Sequence, residues 1–238
     1  MTAIFDLSRF FKLMRREIQV NIRNYIMVAA FIFGLFFLIY FIALMIGAPI
    51  PPQFDSAFFY IFLFAGGTVY TSMTFADVKR PVGYFYLTIP ASIFEKAVSK
   101  WIITVIGWAI AYTIAYFAFA TIGKFSFSLL NDHELVLPRL ILKDFPGLLR
   151  AFLFSHAIFF LGAATFKKNA FVLTIVALAL VGMAGSFISA VLLKIFGIPL
   201  EHIGDIIEAL TKYSIPAIWV LIAALYAWAF NRLRKTQL

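Results

Sequence analysis

Polar and apolar positions alternate along the chain in long blocks rather than in the short periods of a soluble protein. Near-continuous apolar runs occupy 25–47, 56–75, 101–122, 147–166, 170–193 and 215–230, the last reaching 213–230 if Tyr213 and Ser214 complete the crossing. Each approaches the length a helix needs to cross about 30 Å of hydrocarbon at about 1.5 Å per residue. The pattern predicts an all-α, polytopic membrane protein with six transmembrane helices and one membrane domain over 25–238. The first run is too long for a signal-peptide core and follows a charged leader, so it reads as a retained helix.

Two further segments carry helical periodicity without spanning length. In the leader, 1–24, Leu7, Phe10, Phe11, Met14 and Ile18 recur on one face, with Arg9, Lys12, Arg15 and Arg16 between them. This predicts an amphipathic helix on the inner leaflet, either a basic anchor or a mechanical element. After Pro199, Ile203, Ile206, Ile207 and Leu210 repeat the spacing beside Glu201, Asp205 and Glu208, which predicts a short outer helix before the last span. It reads as a cover for the bundle or as part of an exit gate.

Composition agrees with the pattern. The chain is 63% hydrophobic and 13% charged, with a mean hydropathy of +0.98, where a soluble domain has roughly 45–50% apolar and about 25% charged residues. Cysteine is absent, which removes disulfides, thiolate nucleophiles and cysteine metal sites. The net charge of +9 is a topology signal and not a nucleic-acid footprint. Arg9, Lys12, Arg15, Arg16, Arg23, Lys79, Arg80, Lys96, Lys100, Lys167, Lys168, Arg232, Arg234 and Lys235 fall on one side of the alternating loops. Only Lys124, Arg139, Lys143, Arg150, Lys194 and Lys212 fall on the other. The positive-inside rule then places both termini in the cytoplasm.

The cytoplasmic loop 76–100 is the richest stretch. Pro81 suits a helix start, Val82 to Leu87 is apolar and aromatic beside Lys79 and Arg80, and Pro90 terminates it. Ser92 and Glu95 fit the S-x-x-E capping box, so the third span is expected to begin as a helix in the cytoplasm. Tyr84, Phe85 and Tyr86 read either as interfacial aromatics or as anchors for a cytoplasmic partner.

Catalytic signals are missing: there is no G-x-S-x-G, no histidine pair at ligand spacing, and "NDHE" around His133 reads as a solvated loop. No Asp or Glu falls inside a predicted span, Asp55 and Asp77 lying at the edges of the second. His156 is the deep polar residue, read as an interhelical hydrogen bond or as a proton relay. Gly66, Gly67, Gly182, Gly185, Ser186 and Ser189 offer small surfaces for close helix contact.

The leader "RFFKLMRREIQVNIRNY" and above all "TSMTFADVKRPVGYFYLTIPASIFEKAVSKW" over 71–101 resemble six-helix permease subunits of bacterial ATP-binding-cassette transporters of the ABC-2 type. The resemblance implies a connecting helix in the leader and an ATPase-coupling helix at Arg80, Pro81, Tyr84, Phe85, Tyr86 and Leu87. Pro90, Ser92, Glu95 and Lys96 would be the structural joint into the third span, and the segment 198–210 an outer lid. It implies a bacterial inner-membrane permease, an exporter, paired with a second copy or paralogue. The chain carries no G-x-x-x-x-G-K-[ST], so ATP and magnesium would sit on separate ATPase subunits, and no cofactor is expected on this chain. Two readings from other classes stand beside it: a partner-independent channel or secondary carrier, and a non-transporting membrane scaffold.

Overall fold

A computed structural model describes residues 5–47, 51–75, 89–131, 134–140, 145–166, 168–195 and 203–236. Among these the regular structure is helical throughout: α1 (Leu7–Ile46), α2 (Pro52–Ser72), α3 (Ile93–Ile102), a π-helical turn (Ile103–Gly107), α4 (Trp108–Asn131), α5 (Phe145–Thr165), α6 (Ala170–Ile195) and α7 (Ile203–Thr236). Among the described residues five stretches are long and apolar enough to cross a membrane: Tyr25–Ile46, Ile93–Asn131, Phe145–Thr165, Ala170–Ile195 and Ile215–Lys235. The chain is thus a helical protein with several membrane-crossing segments.

The expected second span is a helix, α2, but it is not among those five. The reason is its polar content, which faces the protein. Asp55, Ser56, Thr71 and Ser72 are buried, and α2 packs against α1, α4, α5 and α6. Thr71 donates to the Gly67 carbonyl at 2.6 Å and Ser72 to the Thr68 carbonyl at 2.8 Å. Hydroxyls returned to their own helix are satisfied without water.

The leader and the first span form one unbroken 40-residue helix. Asp6 caps its start, accepting from the Arg9 amide at 3.0 Å, and Gly47 ends it at φ 70°, where its amide reaches the Ala43 and Leu44 carbonyls. The left-handed conformation at Gly47 is one that a side chain would disfavour. The expected apolar face of the leader divides in two. Phe10 is buried with Leu13 and Glu17, whereas Leu7, Phe11 and Ile18 point outward. The outer segment 203–210 is likewise not a separate helix: it is the start of α7, which continues through Pro216 into the last span.

Two cores hold the bundle. One gathers Phe36, Phe59, Leu63, Trp108, Tyr112, Tyr116 and Phe152 between α1, α2, α4 and α5. Within it Tyr70 stacks on Trp108 and Trp108 on Tyr112, at 5.6 and 5.7 Å between centroids, and the Trp108 indole donates to the Leu63 carbonyl at 3.1 Å. The other joins Phe75, Ala97, Phe160, Ala163, Ala164, Ala229 and Leu233. Between α5 and α6 contact is backbone-close: a Cβ at Gly162 would overlap the Thr174 hydroxyl.

Candidate functional site

The functional geometry starts at the N-terminus of α3. Ser92 is the N-cap, in extended conformation (φ −64°, ψ 155°), and its hydroxyl accepts from the Glu95 amide at 3.1 Å. Glu95 Oε2 accepts from the Ser92 amide at 2.7 Å, completing the capping box. Its other oxygen does more than a cap requires. Glu95 Oε1 accepts from the Asp6 amide at 2.8 Å and from Arg9 Nη2 and Nε at 2.7 and 3.2 Å. One carboxylate therefore fastens the starts of α1 and α3 together.

A second fastening lies deeper. Lys100 Nζ donates to Glu17 Oε2 at 2.9 Å and to the Thr74 carbonyl at 2.8 Å, and both side chains are almost fully buried. Lys96 is buried as well. Among the described residues Glu17 Oε1 has no hydrogen-bond partner, and it stands 3.7 Å from Arg16.

From Lys100 a polar chain runs into the bundle. The Thr104 hydroxyl donates to the Lys100 carbonyl at 2.8 Å, which leaves its oxygen as the acceptor for His156 Nε2, also at 2.8 Å. With its proton on Nε2, the neutral imidazole accepts at Nδ1 from the Tyr226 hydroxyl, 2.9 Å away. His156 thus links the π-helical turn to α5 and α7. A π-helical turn displaces the regular ladder, and here it carries Thr104.

At the other end of the bundle Asp55 and Lys124 form a buried ion pair. The Tyr40 hydroxyl donates to Asp55 Oδ1 at 3.4 Å and the Tyr116 hydroxyl to the Asp55 carbonyl at 2.8 Å. Asp55 stands in the first turn of α2, at the edge where the sequence places it, and is buried there with Lys124, which lies within α4 and not in a loop. The apolar run around Lys124 continues through Phe125 and Phe127 to Leu130, and that was the signal in the sequence that Lys124 belongs to a helix and not to a loop.

Of the expected site residues, Pro90, Ser92, Glu95 and Lys96 come together beside α1. Pro90 borders, with Arg9, Lys12 and Arg16, a cavity of about 460 Å³. Arg80, Pro81, Tyr84, Phe85, Tyr86 and Leu87 lie outside the described residues, as do His133 and the segment 198–202. His156 makes interhelical hydrogen bonds. Gly67 lies against Trp108 and Phe152, while Gly182 and Gly185 have open space beside them among the described residues. Comparisons with protein-family models, with characterised proteins and with solved structures give no match. The functional reading therefore rests on this geometry and on the resemblance of the leader and the 71–101 stretch.

Proposed function

We propose that the chain is the permease subunit of an ATP-driven exporter of the ATP-binding-cassette ABC-2 type, working with a separate cytoplasmic ATPase in a bacterial inner membrane. In this reading α2 is the sixth crossing, shielded from lipid by its neighbours, and both termini are cytoplasmic, as the basic loops favour. Two permease chains, identical or paralogous, would complete the assembly. The observation that carries the reading is the double fastening around the 76–88 segment. Before it, the Thr74 carbonyl is tied through Lys100 to Glu17; after it, Ser92 and Glu95 are tied to Asp6 and Arg9. A push on that segment from an ATPase is delivered to α1 and α3 together rather than dissipated in a loop.

The test is co-reconstitution with the partner ATPase. The double variant Tyr84→Ala/Glu95→Ala is expected to keep helicity and ATP hydrolysis while transport falls. Wild-type transport and ATPase affinity in that variant would remove the coupling assignment. The Thr104–His156–Tyr226 chain favours one second reading, a partner-independent carrier. It requires flux in liposomes holding this chain alone, lost in His156→Ala.

A further inference from the structure

Between α1 and α4 the bundle leaves a slot of about 600 Å³. Its walls are almost wholly apolar, and its shape follows from residue size. Gly107, Ala111 and Ala115 repeat every four residues on one wall and Ala29 lies on the other, so the floor is cut from small side chains. Ile18, Phe33 and Ile106 form the larger rim. Both walls belong to stretches long and apolar enough to cross a membrane, Tyr25–Ile46 and Ile93–Asn131. Along α1 the slot runs from Met14 to Phe33, about 28 Å, and its part inside the apolar stretch, Tyr25 to Phe33, is about 12 Å, close to the depth of one leaflet, about 15 Å.

The cytoplasmic mouth has a different chemistry. Leu7, Phe11, Ile18 and Ile22 are exposed on the face of α1 that runs into the slot, and this face carries a single cation. That cation is Arg15, exposed, next to the lining residue Met14 and three residues before Ile18. A long apolar slot flanked at its Met14 end by an exposed guanidinium on the same helix face matches one bilayer component: a phospholipid with an anionic headgroup, its acyl chain in the slot and its phosphate at Arg15.

We infer that the α1–α4 slot is a binding site for an anionic phospholipid of the cytoplasmic leaflet. The inference rests on the chain's spanning a membrane, and not on the ATP-coupled reading.

Trp108 lines the slot and is a built-in reporter. In the full-length chain carrying Trp101→Phe, Trp219→Phe and Trp228→Phe it is the sole tryptophan. A matching chain that keeps only Trp219, which is 43% exposed, samples bulk lipid. Both are placed in phosphatidylcholine vesicles with increasing brominated phosphatidylglycerol. Trp108 fluorescence is expected to be half-quenched at about fivefold lower bromolipid fraction than Trp219 fluorescence, the factor that one basic residue near a membrane surface supplies.

Ala111→Leu, or Ala29→Leu if that variant misfolds, is expected to bring the Trp108 curve onto the Trp219 curve. Arg15→Gln is expected to make brominated phosphatidylglycerol and brominated phosphatidylcholine equivalent. Trp108 tracking Trp219 in the unfilled slot overturns the inference. So does a disulfide between copies formed by Ile26→Cys in this cysteine-free chain, because it would make a second copy the occupant. An unquenched Trp219 would instead remove the membrane reading itself, so the two failures are distinguishable.

Discussion

Asp55 in the first turn of α2 and Lys124 in α4 close a buried ion pair across 69 residues of sequence. With Tyr40 and Tyr116 they tie α1, α2 and α4 at the end of the bundle opposite the Glu95 fastening. A charge buried with its partner is stable there; the same charge alone is not.

Asp55→Asn is therefore expected to destabilise the protein by about 3–5 kcal/mol, because Lys124 loses its counter-charge in a buried setting. Asp55→Asn/Lys124→Met is expected to cost less than Asp55→Asn alone. Thermal unfolding in detergent, followed by circular dichroism, reads both; a double variant less stable than the single one would contradict the pairing.

The two oxygens of Glu95 can be tested apart, because Oε2 completes the cap at Ser92 and Oε1 holds Asp6 and Arg9; amide exchange at Ser92 and at Asp6 reads them separately. Glu95→Gln keeps a side chain that can complete the cap but lacks the charge for Arg9, so it is expected to accelerate exchange at Asp6 while leaving Ser92 protected. Equal loss at both positions would show that the Arg9 contact and the cap are a single unit.

His156→Phe leaves the hydroxyls of Thr104 and Tyr226 without their shared partner and is expected to cost about 1–3 kcal/mol. Tyr226→Phe removes a donor and leaves only Nδ1 unpaired, so a smaller loss is expected. The comparison is read from thermal midpoints in the same detergent; a larger loss for Tyr226→Phe would contradict the assigned proton positions.

Gly162→Ala places a methyl group on the Thr174 hydroxyl and is expected to cost about 1–3 kcal/mol through forced separation of α5 and α6. Adding Thr174→Ala is expected to recover part of that loss, as two contacting residues do and independent ones do not. Strict additivity in thermal denaturation would refute the contact.

The sequence made some of this legible and concealed the rest for physical reasons. The capping box at Ser92 and Glu95 is a local code, four residues long, and reads directly. That the same carboxylate also holds Arg9 does not, since a partner 86 residues away leaves no periodicity. Asp55 and Lys124 looked like loop charges for the same reason: each is alone in its own segment, and only the fold brings them together. The leader differs again. Its apolar stripe predicts a helix lying on the inner leaflet, and Phe11 and Ile18 do face out, but Phe10 and Glu17 are buried against the protein. In a membrane protein lipid satisfies an apolar side chain as well as a protein core does, so hydrophobicity marks the membrane and not the neighbouring helix. The fastenings, by contrast, are polar, and they are what distinguishes inside from outside in this bundle.

The close approach of Gly162 to Thr174 has a mechanical consequence. Thr174 is the buried residue of α6, and beyond it Val181, Gly182, Met183, Gly185 and Phe187 are exposed. α6 is therefore a cantilever, clamped near one end and exposed along the remainder. From Thr174 to Ile195 it extends about 30 Å, so a tilt of about 10° at the clamp carries its tip about 5 Å sideways.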